Sequence, residues 1–247
     1  MEVGKVDLFN KLIRFRHIIS VLGIYLFLSF AGCVMVVVRM LYTGKLGYIF
    51  LIWNLFLTWI PLGFSLIINY LYAFYRRSLM RTLLMMGAGA IWLAFYPNAP
   101  YIITDFIHLS QMKFYFSNHG YNMSFLVWYD FIMMSLFILT GFLLGFVSLY
   151  LIQRLLAERF NRFIGWVFVG SILFLSSFGI YLGRFIRWNS WDIISNPGAL
   201  MQSILESFHL HAAAFTITFG LFLILIYFAL YYLTRLNEYK VVFHYKV

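Results

Sequence analysis

Residues 18–38 read IISVLGIYLFLSFAGCVMVVV, 21 consecutive residues without a charge. A helix rises 1.5 Å per residue, so a run of this length crosses the roughly 30 Å hydrocarbon core of a bilayer. Lys5, Lys11, Arg14 and Arg16 precede it, and Ser29-Phe30-Ala31-Gly32-Cys33 has the small residues of a cleavage site, so a secretory signal is the competing reading. The apolar run, however, passes through Val34 to Val38 with no polar mature sequence behind it, and we read it as an uncleaved span.

Five more apolar runs of spanning length follow, near 48–74, 82–103, 128–150, 163–183 and 210–233, the one at 128–150 carrying Asp130 near its start. The chain is 64% hydrophobic and 11% charged with a mean hydropathy of +0.89, where soluble domains carry roughly 25% charged residues. The expected fold class is an all-α integral membrane protein, about six transmembrane helices in one bundle. Residues 1–247 form a single polytopic membrane domain, with the lipid bilayer as its first partner. The net charge of +10 lies in short clusters between runs and not along a polar face, which argues against a nucleic-acid partner. Cys33 stands alone, so one chain has neither an internal disulfide nor a cysteine zinc site.

Six spans put both termini on one side. That side receives Lys5, Lys11, Arg14, Arg16, Arg76, Arg77, Arg81, Arg154, Arg159, Arg162, Arg235, Lys240 and Lys246; the other receives Arg39, Lys45, Lys113, Arg184 and Arg187. The positive-inside rule makes the termini cytoplasmic. Glu2, Asp7, Glu158 and Glu238 fall inside, whereas Asp105, Asp130, Asp192 and Glu206 fall at the outer face, among Tyr and Trp, where mixed charge can pair into a folded polar cap.

The third run is irregular. Pro97-Asn98-Ala99-Pro100 removes two amide donors, which predicts a broken third span near its outer end, with a second short helix capped by Thr104. Irregular backbone at that depth has to be buried in protein or line a wet cavity. Gly141, Gly145 and Ser148 share a face of the fourth span and Gly179 with Gly183 mark the fifth, the spacing of close helix contacts. Pro61 predicts at most a kink in the second.

Three blocks carry a resemblance: Trp92 to Asp105 with His108, Trp128-Tyr129-Asp130, and Gly179 to Asp192. In them, over roughly residues 48 to 233, the chain resembles the bacterial membrane-protein family catalogued as "domain of unknown function 1361". The resemblance implies a six-span or similar bundle in a bacterial cytoplasmic (inner) membrane. It implies no activity.

Asp105, His108 and Asp130 form the sharpest constellation. The first two are one helical turn apart and Asp130 stands at the outer end of the next span, so they are the candidate catalytic acid and base, or the ligands of one divalent metal ion. Their structural alternative is that Asp130 pairs with Arg184 while Asp105 caps the short helix. Arg184 and Arg187, one turn apart, are candidate clamps for a lipid headgroup or a lipid-linked phosphate, with Asn98, Asn189, Trp191 and Asp192 as further substrate-binding candidates. The tryptophans read equally as interfacial anchors.

His209 and His211 point apart on a helix, Glu206 sits at the mouth of the sixth span, and His119 looks like a solvated turn; all are bystanders. Ser190 has no neighbouring histidine to activate it. The sequence leaves open whether the chain is catalytic. An enzyme processing a lipid or lipid-linked phosphate, a small transporter suggested by the broken span, and a non-catalytic membrane scaffold are the three readings.

Overall fold

The computed structural model describes residues 2–111, 114–116 and 120–235. The His119 turn, and Lys113, Glu238, Lys240 and Lys246 of the charge count, lie outside the described residues. The helices are α1 (Glu2–Thr43), α2 (Ile49–Phe74), α3 (Leu79–Phe95), α4 (Asn98–Tyr101), α5 (Phe125–Arg159), α6 (Arg162–Tyr181), α7 (Asp192–Ser195), α8 (Pro197–Glu206) and α9 (Leu210–Thr234). A 3-10 helix continues α4 over Ile102–Gln111 and a π-helical turn extends α6 over Leu182–Ile186. Between the 3-10 helix and α5, Tyr115–Phe116 pairs antiparallel with Gly120–Tyr121 in a miniature hairpin.

Six helical segments are long and apolar enough to span a membrane, and they coincide with the six apolar runs. The fifth-numbered helix is the axis of the bundle: 61% of the most apolar stretch of α5 is buried, against 11% in α1 and 17% in α9, which face outward. It divides the interior in two. On one side Val36, Leu51, Leu62, Ile102 and Met133 close against α1 and α2; on the other Trp92, Leu149, Val169, Ile180 and Leu223 close against α3, α6 and α9.

A lipid-soaked bundle has little hydrophobic drive between its helices, so polar contacts and close packing fix their pairing. Trp59 Nε1 donates to Ser29 Oγ between α2 and α1, Trp92 Nε1 to Ser148 Oγ between α3 and α5, and Tyr227 OH to Gln153 Oε1 between α9 and α5. Each gives an indole or phenol donor a partner on the neighbouring helix.

The glycines expected to mark contacts all receive the irregular segment after α3. A methyl group on Gly145 would stand 2.6 Å from Ala99 Cβ, and one on Gly141 would stand 2.8 Å from Ile102 Cδ1. Gly179 faces Pro97 and Gly183 faces Tyr101 in the same way. The slot between α5 and α6 is therefore cut to the width of residues 97–102, and the irregular backbone lies against protein there.

The break itself is smaller than expected. Only Tyr96 and Pro97 interrupt the helix, both with right-handed helical dihedrals, and Tyr101 N donates to Pro97 O as the chain resumes. Thr104 is not an N-cap, because the helix has already restarted at Asn98; its hydroxyl donates back to Tyr101 O. Proline at 97 and 100 removes donors without forcing the chain out of helical space, so the third span turns and tightens to 3-10 instead of parting.

Candidate functional site

The face of the bundle opposite the start of α1 and the end of α9, here the distal face, gathers the polar residues singled out above. Asp105 and His108 lie three apart on the 3-10 helix, whose three-residue turn aligns them along one edge. Their environments differ. Asp105 is 1% exposed; its Oδ2 accepts from Asn54 Nδ2 of α2 at 2.7 Å and its Oδ1 from Arg184 Nη2 at 2.8 Å. His108 is half-buried with its ring 4.6 Å from that of Phe50, and makes no hydrogen bond among the described residues.

Arg184 enters from the π-helical turn after α6. Its Nε donates to Thr104 Oγ1 at 3.0 Å, its Nη2 reaches both Thr104 Oγ1 and Asp105, and its Cζ lies 4.4 Å from the centre of the Tyr101 ring. Three residues of one short segment, Tyr101, Thr104 and Asp105, thus orient a single guanidinium, and Asn54 of α2 holds Asp105 from its other oxygen. Its Nη1 has no protein acceptor among the described residues and is open to solvent, the side chain being 18% exposed.

Asp130 is held elsewhere. Arg39, at the distal end of α1, grips it with Nε to Oδ1 at 2.6 Å and Nη2 to Oδ2 at 2.9 Å, a bidentate pair of the strong kind, and Tyr48 OH adds a third donor at 3.0 Å. Burial, with the Asp130 charge and this hydrogen bond behind it, pushes the Tyr48 hydroxyl up to about 12, so it remains a donor at neutral pH. The alternative in which Asp130 caps or pairs with Arg184 is thus corrected: Arg184 takes Asp105, and Asp130 takes Arg39. Among the described residues no three of His, Cys, Asp and Glu converge as a set able to hold a metal ion, and Asp105 and Asp130 are each paired with a guanidinium.

Arg187 terminates the π-helical turn with φ 69°, the one positive φ at a non-glycine position among the described residues. Trp188 N closes the helix end onto Leu182 O, in the manner of a cap that ordinarily carries glycine at this place. The Arg187 side chain is exposed and has no hydrogen-bond or ion-pair partner among the described residues.

The connection that follows forms a strap over this cluster. Asn98 Nδ2 donates to Ser190 Oγ at 2.9 Å, and the Trp191 ring lies 6.3 Å from Trp53 of α2. Asp192 stabilises the strap's own turn: its Oδ2 accepts from the backbone N of Asn189 at 2.7 Å and its Oδ1 from Ser195 Oγ at 3.1 Å. The backbone donor at Asn189, then the Ser195 and Asn189 side chains, hold the Asp192 carboxyl below its ordinary range.

Of the residues expected to form a site, Asp105, Arg184 and Asn98 are brought to one neighbourhood, with Trp191 and Asp192 in the strap; Asp130 belongs to a separate pair. Arg39, Asn54, Tyr101 and Thr104 were missed. Asn54 carried a readable signal, one of two side-chain amides, with Asn69, in an otherwise apolar span.

A family model described as "Protein of unknown function (DUF1361)" covers residues 53–226. No curated protein and no solved structure matches the chain.

Proposed function

The chain belongs to the DUF1361 family, described only as of unknown function, and from the chemistry of its distal face we propose that it binds the phosphate of a lipid headgroup or a lipid-linked phosphate there. The observation that carries this reading is Arg187: an arginine in left-handed backbone, where L-residues other than glycine cost about 1–2 kcal/mol, exposed and unpaired among the described residues. Backbone strain of this kind collects at ligand-binding positions. Three residues earlier Arg184 is oriented on all sides but one, with Nη1 free. Two guanidiniums with unused donors suit a phosphate dianion better than any neutral group.

The charge asymmetry supports cytoplasmic termini and the family resemblance implies a bacterial inner membrane; on that reading the site faces the outer leaflet. Within the site Asp105 is a positioning residue for Arg184, and Asp130 braces α1 against α5. Should the bound phosphate be processed, His108 is the group whose ring nitrogens remain available for proton transfer. The irregular segment of the third span packs through Ala99 and Pro97 onto Gly145 and Gly179.

The test is titration of the purified full chain in maltoside detergent with dodecyl phosphate, followed by intrinsic fluorescence. Saturable binding is expected, weakened about tenfold or more in Arg187→Gln because a hydrogen bond to a charged group contributes roughly 1.5–3 kcal/mol. Lys45→Gln, an exposed cation of the same face, leaves the affinity unchanged. Competition by inorganic phosphate marks the headgroup as the recognised part, whereas none marks the chain as required. Absence of saturable binding, or equal affinity in Arg187→Gln, sinks the reading.

A further inference from the structure

The connection between α6 and α9 contains a feature that the phosphate site does not use. Along α8, Leu200, Met201, Ile204 and Leu205 occupy one side of the helix and Gln202, Ser203 and Glu206 the other, with Gln202 Nε2 donating to Glu206 Oε1 at 2.8 Å on the polar side. Ile204 packs onto Tyr181, Leu182 and Ala212, whereas Met201 is 57% and Leu205 63% exposed. An apolar stripe half seated on protein and half open needs a second apolar neighbour.

The register of α9 on α6 shows where that neighbour lies. Gly220 meets Phe174, Phe215 meets Tyr181 and Phe185, and His211 meets Phe185, so residues earlier than His211 would be expected beyond Phe185. Phe208 instead has its ring 6.3 Å from that of Phe178, seven residues lower on α6 and therefore roughly 10 Å down the side of the bundle. There it is 76% exposed, at the level where α6 already presents Leu175 outward as a membrane span.

We infer that Asp192–Leu210 is an in-plane segment seated in the headgroup and acyl boundary of the distal leaflet, with Met201, Leu205 and Phe208 immersed in lipid and Gln202 and Glu206 in water. The depth of Phe208 matches the 5–10 Å to which interfacial helices bury their apolar face. Asp192 and Glu206 are the only charged residues of the segment, so apolar burial and not attraction to anionic lipid seats it, and zwitterionic lipid suffices. The inference does not depend on the phosphate reading.

Full-length protein carrying Cys33→Ser and one new cysteine, at Met201, Leu205 or Gln202, is labelled with a polarity-sensitive fluorophore and reconstituted into phosphatidylcholine vesicles. The substituted side chains are exposed, so the packing of the bundle is retained. Labels at 201 and 205 are expected to emit at shorter wavelength and to be quenched by acyl-brominated phosphatidylcholine; the label at 202 is expected to be quenched by aqueous iodide. Equal access of iodide to all three would overturn the inference by standing the segment in water. Shielding of 201 and 205 from both quenchers, with cross-linking between chains, would overturn it by assigning the stripe to a second copy.

Discussion

Arg184 Nη2 lies 2.8 Å from Asp105 Oδ1 and so ties the end of the fifth span to the 3-10 end of the third. Asp105 is buried, and its other oxygen is committed to Asn54. Asp105→Ala leaves a largely buried guanidinium uncompensated, and we expect it to lower stability by about 3–5 kcal/mol. In the fraction that folds, dodecyl phosphate affinity also falls, because Arg184 has lost the group that orients it. Thermal unfolding in detergent beside the phosphate titration reads both effects.

Asp130 separates structure from binding. Asp130→Asn breaks the bidentate pair with Arg39, and we expect a loss of about 3–5 kcal/mol in stability with phosphate affinity of the folded protein unchanged. The double variant Arg39→Met with Asp130→Leu regains most of that stability, because it leaves no unpaired charge behind. A double-mutant cycle in unfolding free energy measures the coupling.

Gly145→Ala tests the slot that receives the third span. The new methyl would stand 2.6 Å from Ala99 Cβ, and both belong to helical backbone that has to separate. Overpacking of this degree costs about 1–3 kcal/mol. Gly87→Ala, with open space at its Cβ, is the control and is expected to leave the melting temperature unchanged or slightly raised.

Acid should loosen the strap through Asp192. Its folded carboxyl titrates below the unfolded one, so its contribution is complete above the ordinary aspartate range near pH 4 and is lost as pH falls through the lowered folded value. Emission of Trp191, which lies beside Trp53, is expected to change over that acidic window. In Asp192→Ala the same change is expected to be already present at neutral pH, with no further acid step.

The six spans were legible because apolar runs of that length, nearly free of charge, form helices in lipid. Gly141 and Gly145 announced close packing, but their partners Ile102 and Ala99 could not be read, since spacing along one helix carries no information about which backbone enters the groove. Arg39 was counted as a topology charge, and its pairing with Asp130 spans 91 residues, beyond the reach of any local pattern. Thr104 was misassigned because proline was taken to end the helix, whereas helical dihedrals persist through Pro97. The α8 stripe and Pro197 at its first turn were readable signals of a short helix, overlooked between two far more apolar spans.

Arg187→Gly tests the central claim most directly, since a single substitution moves stability and binding in opposite directions. Glycine relieves the left-handed backbone at φ 69° and removes the exposed guanidinium. Measured on the full chain, the melting temperature should rise by an amount equivalent to about 1 kcal/mol while dodecyl phosphate affinity falls about tenfold or more. A more stable protein that binds dodecyl phosphate as tightly as the unaltered chain would contradict the account.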